Sequence, residues 1–175
     1  MSTLKSEMRD DLAYNHSVFH SVTERLLVPA ASSPDPEEKH VAFYAYMTSS
    51  MVNPGSHQIL KFDHVKTNIG HGYHNNTGVF IAPTSGVYVF SWTIRTAGGD
   101  IHSVEFIVNN EIYGSLYRDT NSYNDGHSSE TSIVRVQAGD DVYLRIKTDP
   151  CYSKGRIRSD VCGRTSFAGW KFFSV

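Results

Sequence analysis

Apolar and polar residues alternate with period two through most of the chain after residue 40. The longest run is GVYVFSWTIRT at 86–96. It sets Tyr88, Phe90, Trp92 and Ile94 on one side and Val87, Val89, Ser91 and Thr93 on the other, the pattern of a strand with one buried face. VAFYAYM at 41–47 is a compact apolar strand. SVEFIV and EIYGSLY flank Asn109-Asn110, which predicts a type I′ hairpin because Asn tolerates positive φ. IVRV and DVYLRIK are separated by Gln137-Ala138-Gly139-Asp140, a second tight turn, and SFAGWKFFSV closes the chain with alternating aromatics. Eight to ten short strands with turn residues every 8–12 positions and no helical segment predict an all-β sandwich or jelly roll.

Residues 4–28 carry no such alternation. Met8, Leu12, Asn15, Phe19, Val22 and Leu26 are spaced 4, 3, 4, 3 and 4 apart, the seam of a coiled coil, with the charged Lys5, Glu7, Arg9, Asp10, Glu24 and Arg25 off it. Two readings stand: a short helical, coiled-coil stem over 1–29, or an amphipathic tail with accidental spacing. Asn15-His16-Ser17 is also a glycosylation sequon, and a glycan there is incompatible with a buried seam position. The stretch AASSPDPEE at 30–38 has too many prolines, charges and small residues to pack a core or hold a helix. It reads as a linker, leaving 39–175 as the folded domain.

Composition narrows the function classes. The chain has 175 residues, 39% hydrophobic and 19% charged, enough apolar material for one core. A formal net charge of −2 argues against a nucleic-acid binder, which needs a concentrated basic face. No apolar run is long enough to cross a bilayer. The first residues lack the apolar core and cleavage site of a signal peptide, so the expectation is a mature terminus with an added Met, or a cytosolic protein. Cys151 and Cys162 are the two cysteines, both in a polar, turn-like stretch. A local disulfide fits that setting, and with it secretion; two free thiols in a reducing compartment is the other reading.

A more specific signal lies between residues 62 and 92. Phe62, Asn68, Tyr73 and Phe80, then Gly86-x-Tyr88-x-Phe90-x-Trp92, stand at the spacing of the C1q domain signature, with Trp92 where that family usually has Phe or Tyr. VAF at 41–43, Gly78-Val79-Phe80, Ala138-Gly139-Asp140-Asp141-Val142 and Ser166-Phe167-Ala168-Gly169 are further matches in family order. The chain thus resembles the complement C1q globular head. The resemblance implies a ten-stranded jelly roll of the kind shared with tumour necrosis factor ligands, assembled as a homotrimer. The heptads at 8–26 would then be the trimerising stem. The six large aromatics of the signature are expected in the core and at subunit seams rather than on a ligand.

No catalytic constellation is present, and no enzyme is expected. His71 and His74 have a zinc-compatible spacing, but no cysteine or nearby carboxylate completes a tetrahedral set, so they read as solvated loop histidines. The loop RDTNSYNDGHSSE at 118–130 carries Asp119, Asn121, Asn124, Asp125 and Glu130, oxygen donors suited to a hard cation. The resemblance points to calcium there, with Asp119 and Asp125 near the family's metal positions. Asn75-Asn76-Thr77 is a second sequon, in a loop that tolerates a glycan.

The function expected is a secreted, trimeric, lectin-like recognition protein of innate immunity, binding glycans or other microbial surface molecules. The ligand candidates are Tyr117, Arg118, Asn121, Tyr123, Asn124 and His127, with Lys154, Arg156 and Arg158 as a basic patch for anionic groups. The other expectation for the same trimer is a signalling or matrix-scaffold ligand that binds a protein receptor.

Overall fold

The run from Gly86 to Thr96 forms one unbroken strand, and its burial alternates along the full length as the side-chain pattern requires. The computed structural model describes residues 39–120, 124–147 and 153–175. The stem at 1–29, the linker at 30–38, Asn121, Tyr123 and Cys151 lie outside the described residues. No helix occurs among the described residues.

Twelve strands are formed: β1 (Ala42–Tyr46), β2 (Met51–Val52), β3 (His64–Ile69), β4 (Tyr73–His74), β5 (Val79–Ile81), β6 (Gly86–Thr96), β7 (Ile101–Val108), β8 (Glu111–Asp119), β9 (Gly126–Val136), β10 (Asp141–Ile146), β11 (Arg156–Ile157) and β12 (Ser166–Phe173). They make two antiparallel sheets. One is β4-β5-β10-β7-β8, and the other carries β3, β1, β12, β6 and β9 side by side, with β11 and β2 added at the end of β6. Set aside the two-residue β2 and β11, which pair with each other, and ten strands remain, the number of the expected jelly roll. The Asn109-Asn110 turn closes β7 onto β8 with φ of 48° and 66°, positive at both residues as a type I′ turn demands.

The core between the sheets is aromatic. Phe62, Tyr73, Phe80, Tyr88, Phe90 and Trp92 are all buried. Phe43 stacks on Tyr73 with centroids 4.9 Å apart, and Trp92 stacks on Phe106 at the same distance. Gly169 of β12 is required by this packing: a Cβ there would lie 2.6 Å from the rings of both Phe43 and Phe90. The signature residues also tie the chain to itself. The Tyr73 hydroxyl donates to the Phe62 carbonyl (3.2 Å) and accepts from the Phe62 amide (3.1 Å), while the Asn68 amide group bonds both main-chain groups of Tyr73. Burial pushes the Tyr73 phenol up to about 12.

The antiparallel register Ala42↔Trp170 puts the start of β1 and the end of β12 together at one end of the sandwich. The connections after β6, β8 and β10 and before β12 gather at the other, here called the loop end.

Candidate ligand-binding end of the sandwich

The loop end is held together by a few buried or charged anchors. Thr120, buried just after β8, bonds through its hydroxyl to the carbonyls of Ala97 and Asp100, fixing the turn between β6 and β7. Asp100 in turn accepts from the Arg156 amide at 2.8 Å. Its carboxylate fills the space over Gly155, where φ is +90° and any Cβ would collide with it.

A chain of four charges crosses the outer rim. Arg95, the penultimate residue of β6, reaches Asp160 at 3.1 Å and Asp125 at 3.9 Å. Arg158 bonds Asp160 at 2.5 Å and also pairs with Asp125. The Arg158 and Arg95 hydrogen bonds hold the Asp160 carboxyl far below the usual carboxylate range, and the Asp160 bond raises Arg158 above its ordinary value. The same Asp160 caps a tight turn: its main chain exchanges hydrogen bonds with Gly163, and its side chain accepts from the Cys162 amide.

Against this frame the expected ligand residues separate. Lys154 and Arg156 are exposed and make no ion pair among the described residues. Arg158, the third member of the expected patch, is half-buried and committed to the two aspartates. Tyr117, Asn124 and His127 are exposed, and His127 lies beside Arg95 in the β6/β9 register. Arg118 is half-buried, its guanidinium lying over Gly126 at the start of β9. Arg95, Asp100 and Asp160 were not among the expected residues. The available signal was a lone arginine at the end of an otherwise apolar and hydroxyl-bearing strand.

The calcium candidates are unequal. Asp119 Oδ1 is buried without a hydrogen-bond partner, which suits a hard cation. Asp125 gives one oxygen to the Gly98 amide and the other to Arg158, and does not fit a metal shell as it is arranged. Among the described residues no three of His, Cys, Asp and Glu converge on one point, His71 and His74 included. Asn75 stands in an exposed turn. Cys162 is an exposed free thiol among the described residues, and its expected partner Cys151 lies outside them. Elsewhere, an open groove of about 440 Å³ runs along β4 and β5, lined by His74, Asn76, Thr77, Val79 and Ile81.

The outer face of the larger sheet changes character along its length. In register across β9, β6, β12, β1 and β3, Ile133, Val89, Trp170, Ala42 and Ile69 form an apolar row near the chain ends. Next comes Thr131, Ser91, Ala168, Tyr44 and Thr67, and at the loop end His127 and Arg95. Ile133 is 71% exposed, Ile69 54% and Trp170 42%, an exposed apolar strip of the kind that marks a protein interface.

Residues 42–171 match the sequence profile of the C1q domain. The chain belongs to the C1q-domain family. The heavy metal-binding protein HIP of Mytilus edulis is 38% identical over 103 residues, 59% of this chain and 48% of that protein. Complement C1q tumor necrosis factor-related protein 3 of Mus musculus is 30% identical over 142 residues, 80% of this chain and 54% of that protein. The chain thus spans about half the length of these curated relatives. The globular domain of zebrafish complement 1qA superposes with a TM-score of 0.62 at 13% identity, over 78% of this chain and 99% of that one. Murine APRIL at pH 8.5 gives 0.52 at 11% identity, over 77% and 100%. At such identities the likeness is one of fold, and that fold is the C1q/TNF jelly roll. The C1q/TNF-family homologues are non-enzymatic ligand-binding or signalling proteins.

Proposed function

We propose that this C1q domain is the head of a secreted homotrimer that recognises glycans or other anionic molecules on microbial surfaces through its loop end. The observation that carries the reading is the loop end itself. Lys154 and Arg156 are exposed and unpaired there among the described residues, beside a rim that Arg95, Arg158, Asp125 and Asp160 hold in place. Preorganised cations of this kind bind anionic groups without first breaking an internal ion pair. C1q/TNF-like domains form trimers, and the apolar row from Ile133 to Ile69 supports the same assembly here. Three heads on one stem would convert weak single-site contacts into avidity. Calcium enters through Asp119, whose buried oxygen lacks a protein partner.

Two measurements test this reading. Arrays of sugars, lipopolysaccharide and peptidoglycan, run with and without calcium, should give binding that weakens in Lys154→Gln/Arg156→Gln. Blank arrays in both conditions reject it. Light scattering with calcium and then with chelator should report a trimer; a monomer throughout removes the avidity argument, and an unchanged signal on chelation argues against calcium in the assembly.

A second reading, an extracellular signalling or matrix ligand for a protein receptor, is favoured by one observation: Ile112, Tyr113 and Tyr117 of β8 are exposed on the opposite edge of the sandwich from β3 and β4. Binding that is lost in Tyr113→Glu while Lys154→Gln/Arg156→Gln retains it would select that reading.

A further inference from the structure

The core-facing residues of three neighbouring strands end, at the loop end, on polar side chains. Along β6 the buried series Trp92, Ile94 runs on to Thr96. Along β7 it is Phe106 and Val104, then His102, and along β8 Leu116, then Arg118. Val104 and Leu116 are register partners inside the core, and so are His102 and Arg118 one step further out. By the alternation of a strand, all three polar residues therefore point between the sheets.

They also meet. Thr96 is the register partner of Gly126, the first residue of β9. The Arg118 guanidinium lies directly over Gly126, so that any Cβ there would collide with it. Arg118 thus bridges from β8 across the sandwich to the neighbourhood of Thr96, with His102 beside its own backbone.

Among the described residues none of the three is fully satisfied, although the Arg156 backbone lies close enough to His102 to act on its ring. Thr96 and His102 are fully buried, yet Thr96 Oγ1, both ring nitrogens of His102 and Arg118 Nε lack a hydrogen bond of normal geometry. Arg118 has no carboxylate within ion-pair distance among the described residues. A partly buried guanidinium without a counter-charge is costly, and buried donors without acceptors add to that cost. Asp100, whose charge is felt at His102, is bonded to the Arg156 main chain. Asp119 falls on the other face of β8, with Ile101. What the cluster offers is a planar guanidinium fork, a hydroxyl and an imidazole N–H, which is the donor set of an oxyanion site and the wrong sign for a metal ion.

We propose that Thr96, His102 and Arg118 bind a small oxyanion, a phosphate, sulfate or carboxylate group, at the loop end of the sandwich. Arg118 is half-exposed, so the site opens toward that end. The site stands on its own geometry; that the oxyanion is carried by a surface glycan rests on the recognition reading given above.

Sulfate stabilises proteins generally by exclusion from their surface, so melting temperature is not the readout. The full chain is instead titrated with sodium sulfate and sodium phosphate at constant ionic strength against sodium chloride, with the His102 ring nitrogens followed by NMR and binding by calorimetry. The His102 signals should move and saturate with sulfate or phosphate and stay put with chloride. Arg118→Met should weaken sulfate binding by about tenfold or more, and Arg135→Gln, an exposed arginine paired with Val87 toward the other end of β9, should not. His102 signals that ignore both oxyanions, or unaltered binding by Arg118→Met, overturn the proposal. If Arg118→Met does not fold, the His102 titration of the unaltered chain decides alone. Arrays of sulfated and unsulfated glycans separate the two claims. Sulfate binding with blank arrays keeps the site and rejects the recognition reading. Array binding that neither free sulfate nor Arg118→Met reduces keeps recognition and rejects this site.

Discussion

The hydroxyl of Tyr73 has both of its hydrogen-bond partners in one residue, Phe62, eleven positions back along the chain. Tyr73→Phe keeps the stacked ring and removes only these bonds. It should cost about 1–3 kcal/mol in urea denaturation, since the Phe62 amide is left buried without its acceptor. The pH dependence has a definite sign. The folded-state phenol is pushed up to about 12 from 10, so the folded chain holds its proton more tightly than the unfolded chain does. That stability is fully present below pH 10 and is lost as pH rises from 10 toward 12. Tyr73→Phe should therefore flatten the alkaline limb of the stability curve. The resemblance to the C1q signature identified Phe62, Asn68 and Tyr73 as a set, and the size of Phe62 and Tyr73 placed those two in the core. The hydrogen bonds that make the spacing matter could not be read from it, because they exist only once β3 and β4 have come together.

At the level of elements, the turn from Asp160 to Gly163 depends on a strand more than sixty residues earlier. Arg95 bonds the Asp160 carboxylate and the Gly163 carbonyl together. Arg95→Gln should raise hydrogen exchange at the Cys162 and Gly163 amides while leaving the β6 amides protected, because the strand's own ladder is intact. Acid should not imitate this change. The folded-state pKa of Asp160 is depressed, so its contribution is lost only as pH falls through a value well under the ordinary 3.8. Exchange in the turn should thus be unchanged from pH 7 to pH 5 once the intrinsic rate is corrected. Strands with a clear period of two, β6 above all, were visible in the sequence, as were the Asn109-Asn110 and Gln137–Asp140 turns. β2 and β11 were not, since two residues carry no period. Nor was the division of the basic patch: Lys154, Arg156 and Arg158 look alike in sequence, and only the placement of Asp125 and Asp160 sets Arg158 apart.

For the whole molecule, the outer face of the larger sheet grades from apolar at the chain ends to hydroxyl-bearing and then charged at the loop end. If copies associate through the apolar row, Ile133→Asp should shift light scattering toward the monomer with little loss of fold stability, because Ile133 is 71% exposed in the single chain. A trimer that survives Ile133→Asp would place the contact elsewhere. The sequence announced the aromatics but could not sort them by side: Trp92 is buried and Trp170 exposed, although both sit in alternating runs. The sheet decides, since Trp92 faces the opposite sheet and Trp170 the row beside Val89.

The placement of the chain ends also has a mechanical consequence. β1 begins and β12 ends as neighbours in one antiparallel ladder. Force applied between residues 39 and 175 peels that ladder open one hydrogen bond at a time. Force applied between residue 39 and a ligand gripped at the loop end runs along the strands and loads many bonds in parallel. Single-molecule pulling in the two geometries should give a low rupture force in the first and a markedly higher one in the second. The domain would then yield when tugged by its own ends and resist when tugged by what it holds.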